Sequence, residues 1–99
     1  MLSYRHGFHA GNHADVLKHV ALVALLRILT RKDKPLVVLD THAGAGMYSL
    51  EQGFAVRNAE FRGGIGALWE RSDLPEPVAD YPDQVRAVNP DGVLRQYPG

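Results

Sequence analysis

The chain contains no cysteine, which removes disulfides and thiolate metal sites and fits a reducing compartment such as the cytoplasm. It has no excess of either charge: 11 basic residues balance 11 acidic ones, so bulk electrostatics favours neither a polyanion binder nor a solvating tail. The longest apolar run, Val20 to Leu26, falls far short of the roughly 18 residues that a membrane span requires. Met1 is followed by Leu-Ser-Tyr-Arg-His-Gly-Phe-His, which lacks the apolar core of a signal peptide. No repeat and no low-complexity tract is present. These absences point to a soluble cytoplasmic protein, and 99 residues suffice for one small domain.

What is present centres on Leu36-Val37-Val38-Leu39-Asp40-Thr41-His42-Ala43-Gly44-Ala45-Gly46. Four consecutive apolar residues predict a strand buried on both faces, as in a parallel sheet under helices. An acid closes it and a glycine turn follows, where the lack of a Cβ lets the backbone turn and a ligand approach. A short helix is expected from Met47 to Gln52, its free N–H groups aimed at that ligand. This is the first βα unit of an α/β nucleotide-type site. One strand cannot form a sheet, so further strands must come from residues outside this sequence or from another chain.

Elsewhere, Asn12 is a good N-cap, with Asp15 adding negative charge at the positive end of a helix from His13 to about Leu29. Its second half, rich in Val, Ala and Leu, is expected to be buried. Pro35 stops that helix from running into the strand. Phe54 to Arg71 carries a helical pattern interrupted by Gly63-Gly64 and Gly66. Val78, Tyr81, Val85 and Val88 recur at helical spacing, preceded by Pro77 and ended by Asn89-Pro90-Asp91-Gly92.

The glycine turn excludes a P-loop, because no Lys-Ser/Thr follows Gly46. A dinucleotide fingerprint would need glycine at His42 and at Ser49. The acid-x-Gly-x-Gly-x-Gly loop of class I S-adenosylmethionine methyltransferases fits better, although an ordinary βα turn remains an alternative. All five histidines lie within the first 42 residues. Their separations allow zinc, but no carboxylate or thiolate completes a conventional ligand set. Solvated histidines, or a polar wall in which His19 and His42 face the glycine loop, are the competing readings. Tyr4 and Phe8 either stack on an extruded base or anchor the segment to the core.

Two stretches, Tyr4-Arg5-His6-Gly7-Phe8-His9-Ala10-Gly11-Asn12-His13-Ala14-Asp15-Val16-Leu17-Lys18-His19 and Leu39 to Gly46, closely resemble the RlmJ family of 23S ribosomal RNA adenine-N6 methyltransferases. The likeness extends through Gly64-Ile65, Trp69, Asp73-Leu74-Pro75 and Tyr97-Pro98-Gly99. It implies the α/β, Rossmann-like fold of a class I methyltransferase, with residues 1–52 forming a motif X segment, helix and first βα unit. Residues 53–99 would form a small inserted helical subdomain and return segment. The resemblance further implies S-adenosylmethionine as cofactor, 23S ribosomal RNA as partner, no metal and no membrane. His19, His42, Gly44 and Lys18 match cofactor-side positions, and Tyr4 and His6 match positions facing the target adenosine. The family's Asp-Pro-Pro-Tyr motif, which carries its catalytic Asp, is absent from these 99 residues. The expectation is therefore an N-terminal portion without activity of its own, with a non-catalytic oligomeric relic or interaction module as the alternative.

Overall fold

Asn12 starts the longest element. Its backbone is extended and its side-chain oxygen accepts the Asp15 N–H at 2.9 Å, so helix α1 runs from His13–Leu29 as the sequence predicts. The computed structural model describes residues 4–51 and 59–99. After α1 come strand β1 (Met47–Ser49), a 3-10 turn (Glu60–Gly63), the short helix α2 (Ile65–Leu68), helix α3 (Glu76–Ala87) and strand β2 (Gln96–Pro98). A 3-10 turn at His6–Phe8 precedes α1.

Helix α3 begins at Pro75-Glu76-Pro77, where the missing proline N–H costs nothing, and buries Tyr81 and Val85 on one face. Arg27 of α1 pairs with Asp80 of α3. Beyond α3, the buried Asn89 donates to the carbonyls of Val85 (3.0 Å) and Gln96 (2.9 Å). Its side-chain oxygen accepts the N–H groups of Arg95 and Gln96, both at 2.9 Å. That amide thereby fixes the return segment, and β2 pairs antiparallel with β1 in the register Met47↔Pro98, Tyr48↔Tyr97, Ser49↔Gln96. Ala10, Leu50, Ile65, Tyr81, Val85 and Tyr97 form the core. Gly64 lies so close to the α1 start that an added Cβ would stand 2.0 Å from the Gly11 carbonyl oxygen, which accepts the Ile65 N–H at 2.9 Å.

Three expectations fail. Leu36–Leu39 forms no strand and pairs with none among the described residues, and Val37 and Leu39 are 82% and 84% exposed. A doubly buried strand needs neighbours on both edges and layers on both faces, and the described residues supply none for it. The second half of α1 is uncovered for the same reason, with Leu22, Leu25, Ile28 and Leu29 exposed. Met47–Ser49 is a strand rather than the start of a helix: no N-cap precedes it, and pairing with β2 claims its backbone. The helical pattern from Phe54 lies partly outside the described residues; its described part is the 3-10 turn and α2, divided at Gly64. Among the described residues the fold is thus a mixed helix–strand arrangement whose sheet is one two-stranded pair. Its surface, 7242 Å² for 10.9 kDa, exceeds the roughly 5,600 Å² of a typical monomer of that mass.

Burial predicts where substitutions act. Ile65→Ala should lower unfolding free energy by about 2–5 kcal/mol, while Leu39→Ser should stay within about 0.5 kcal/mol. Urea titration of both variants checks this contrast.

Candidate functional site

Residues 5–12 fold back on themselves: Phe8 and His9 donate to the Arg5 and His6 carbonyls, and Gly11 turns the chain with φ +74°. This reversal lays His6 over the first turn of α1, where Asp15 is 3% exposed. One carboxylate oxygen of Asp15 accepts the Gly11 N–H at 2.9 Å and lies 3.0 Å from His6 Nε2. The other lies 2.8 Å from Lys18 Nζ and 3.9 Å from His19 Nδ1. Burial by itself would raise the Asp15 pKa. Lys18, the Gly11 N–H and the nearby imidazoles outweigh it and hold the group below the usual carboxylate range.

From His6 the network continues outward. Tyr4 Oη lies 2.7 Å from His6 Nδ1, and the Tyr4 ring stacks on His9 with centroids 5.3 Å apart. His9 is held in turn by Glu60, which also accepts from Asn12 Nδ2.

The glycine loop closes the opposite side. Asp40 accepts the His42 N–H at 3.0 Å, forming a local turn, and Thr41 Oγ1 lies 2.7 Å from His42 Nδ1. Gly44 takes φ +61°, and a Cβ there would stand 2.6 Å from Tyr48 Oη, which accepts the Ala45 N–H. Tyr48 also meets the His6 ring edge-on at 5.2 Å between centroids. These walls enclose an open cavity of about 810 Å³, with Tyr4, His6 and Lys18 on one side and His42, Gly44 and Tyr48 on the other.

The structure therefore brings together Tyr4, His6, Lys18, His42 and Gly44. His19 is placed behind that wall, buried, with Nδ1 2.7 Å from Tyr97 Oη, which is itself 2.6 Å from Tyr81 Oη. Burial lowers the His19 pKa, and Lys18 acts in the same direction, against the pull of Asp15. The same burial pushes the Tyr81 phenol up to about 12 and raises Tyr97 further. Among the described residues, no group of three or more His, Asp or Glu side chains is arranged to hold a metal. Spacing alone did not single out Asp15 as the hub, although its offsets of three and four from Lys18 and His19 place all three on one helix face. Tyr97 carried no local signal, because its partners His19 and Tyr81 lie far away in sequence.

Comparison with known proteins gives the family of the chain that carries this cavity. Residues 33–99 match the family model described as ribosomal RNA large subunit methyltransferase D, RlmJ. The chain belongs to that family. Over its whole length it is 52% identical to ribosomal RNA large subunit methyltransferase J of Escherichia coli, and 48% identical to the protein of that name from Haemophilus influenzae. It spans 35% and 36% of those relatives, about a third of each. A crystal structure of a Legionella pneumophila protein, 42% identical, superposes with a TM-score of 0.80 over 92% of this chain and 33% of that one.

The lowered pKa values predict the direction of acid sensitivity. His19 takes up a proton less readily folded than unfolded, so its contribution is present above 6.5 and is lost as pH falls through its folded value. The urea midpoint should therefore decline between pH 7 and 5, and decline less steeply in His19→Gln. Asp15, depressed from 3.8, adds a further loss at lower pH.

Proposed function

We propose that this chain forms the cofactor- and base-facing part of a cytoplasmic 23S ribosomal RNA adenine-N6 methyltransferase that uses S-adenosylmethionine. The observation that carries this reading is the convergence of Tyr4, His6 and Lys18 with His42 and Gly44 on one cavity, in a chain so similar to large-subunit RNA methyltransferases. The family's target base is adenine 2030 in this reading. Residues 1–52 supply the motif X segment, its helix and the glycine loop of a Rossmann-like domain, and 53–99 an inserted helical subdomain and return segment.

The residues present suit the cofactor's chemistry. The Lys18 ammonium can meet a carboxylate while still pairing with Asp15. Gly44 lines the cavity with Tyr48 Oη packed where a side chain would stand, and His42 offers an imidazole beside it. When bound, S-adenosylmethionine supplies a methyl group on a sulfonium, open to in-line attack by an amine. The chain's own part is positioning: His42, Gly44 and Lys18 hold the cofactor end, while Tyr4 and His6 face the extruded base. His19 supports that wall from behind by ordering Tyr97. The Asp-Pro-Pro-Tyr motif lies outside these residues, so the 99-residue chain alone is expected to leave RNA unmethylated.

A second reading draws on the exposure of Val37 and Leu39: a non-catalytic module that associates with another copy through the exposed Leu36–Leu39 segment. Val37→Lys would abolish such association and leave cofactor binding unchanged.

Calorimetric titration with S-adenosylmethionine tests the leading reading. His42→Ala should weaken binding by about 0.5–1.5 kcal/mol, the worth of one neutral hydrogen bond, whereas Tyr4→Ala should spare it. Unchanged affinity in a folded His42→Ala protein would remove His42 from the cofactor site.

A further inference from the structure

Asp15 is buried in the lining of the cavity, and it decides which hydrogen-bonding face the cavity presents. An ionised carboxylate can only accept, and its oxygen near His6 already takes the Gly11 N–H. The 3.0 Å contact with His6 Nε2 therefore requires the imidazole proton on Nε2. A neutral imidazole then has a bare lone pair on Nδ1, and the 2.7 Å contact with Tyr4 requires the phenol to donate to it. With its hydrogen committed inward, Tyr4 Oη turns only lone pairs toward the cavity. Stacking on His9 holds the ring in that position although Tyr4 is 74% exposed.

We infer that Asp15 is a positioning residue which, through the His6 tautomer, makes Tyr4 an obligate acceptor that selects a base bearing an exocyclic amine over one bearing a carbonyl at the same place. The inference rests on the proposed function and deepens it: the relay Asp15–His6–Tyr4 contributes to the choice of adenine. An amine N–H finds an acceptor at Tyr4, whereas a carbonyl oxygen meets lone pairs. Removing the carboxylate releases the relay. In Asp15→Ala nothing holds the imidazole proton on Nε2; on Nδ1 it donates to Tyr4 Oη, and the phenol hydrogen is released outward.

The test uses the 99-residue chain labelled with ¹⁵N. Long-range ¹H–¹⁵N correlation spectra read the His6 tautomer directly, and chemical-shift titrations with adenosine and inosine read the preference. The wild type should show a protonated Nε2 and bind adenosine about tenfold more tightly than inosine, the equivalent of one hydrogen bond made or lost. Asp15→Ala should show protonation at Nδ1 and weaken the preference. Tyr4→Phe should erase the preference and leave the tautomer in place, and decides the matter alone if Asp15→Ala does not fold. A wild-type proton on Nδ1, a preference that survives in Tyr4→Phe, or the absence of any adenosine preference would overturn the inference. S-adenosylmethionine titrated into the same wild-type sample reports on the cofactor site separately, so the two readings fail independently.

Discussion

A carboxylate removed from water must be compensated by the groups around it, and that constraint at Asp15 shapes the N-terminal third of this protein. A buried charge is tolerated only when paired and hydrogen-bonded. Here the compensation comes from Gly11, His6 and Lys18, with His19 close by, and each brings a different segment into place. Gly11 fixes the chain reversal, His6 draws the N-terminal segment over the helix, and Lys18 is held at the mouth of the cavity. The requirement that stabilises the fold therefore also assembles the wall on which the proposed ligands rest.

The remainder of the cavity depends on the return segment. Asn89 uses its whole amide to pin β2, and β2 in turn places Tyr97 against His19 and Gly99 against Gly46. His19 is thus joined to a phenol 78 positions away, which in turn meets the buried phenol of Tyr81. On the far side, Leu36–Leu39 and the outer face of α1 stand uncovered. The apolar material of this chain is consequently divided: a small, polar-centred core beneath the cavity, and an exposed strip of the kind that marks an interaction surface.

Local chemistry was readable wherever it depended on neighbours in sequence. The Asn12 cap, the extent of α1, Pro77 at the head of α3 and the turn at Asn89 follow from residue type and spacing alone. Gly44 and His42 were marked by the glycine turn that follows an acid, whereas the roles of Tyr4, His6 and Lys18 came from family likeness. What depended on distant partners was not legible. The apolar pattern of Leu36–Leu39 encodes a buried strand but not the neighbours it would need, and Met47 becomes a strand only because β2 returns beside it. Asp15 was visible as a helix-start charge, whereas its hub role required the reversal at Gly11.

The central claim is that a buried, ionised Asp15 organises this site. Following the Asp15 side-chain carboxyl ¹³C resonance as the protein is acidified tests it most directly. A titration midpoint below the ordinary 3.8, with the His6 and Gly11 signals moving in step, is the result this account predicts. A midpoint at or above that value, or His6 and Gly11 signals indifferent to it, would contradict it.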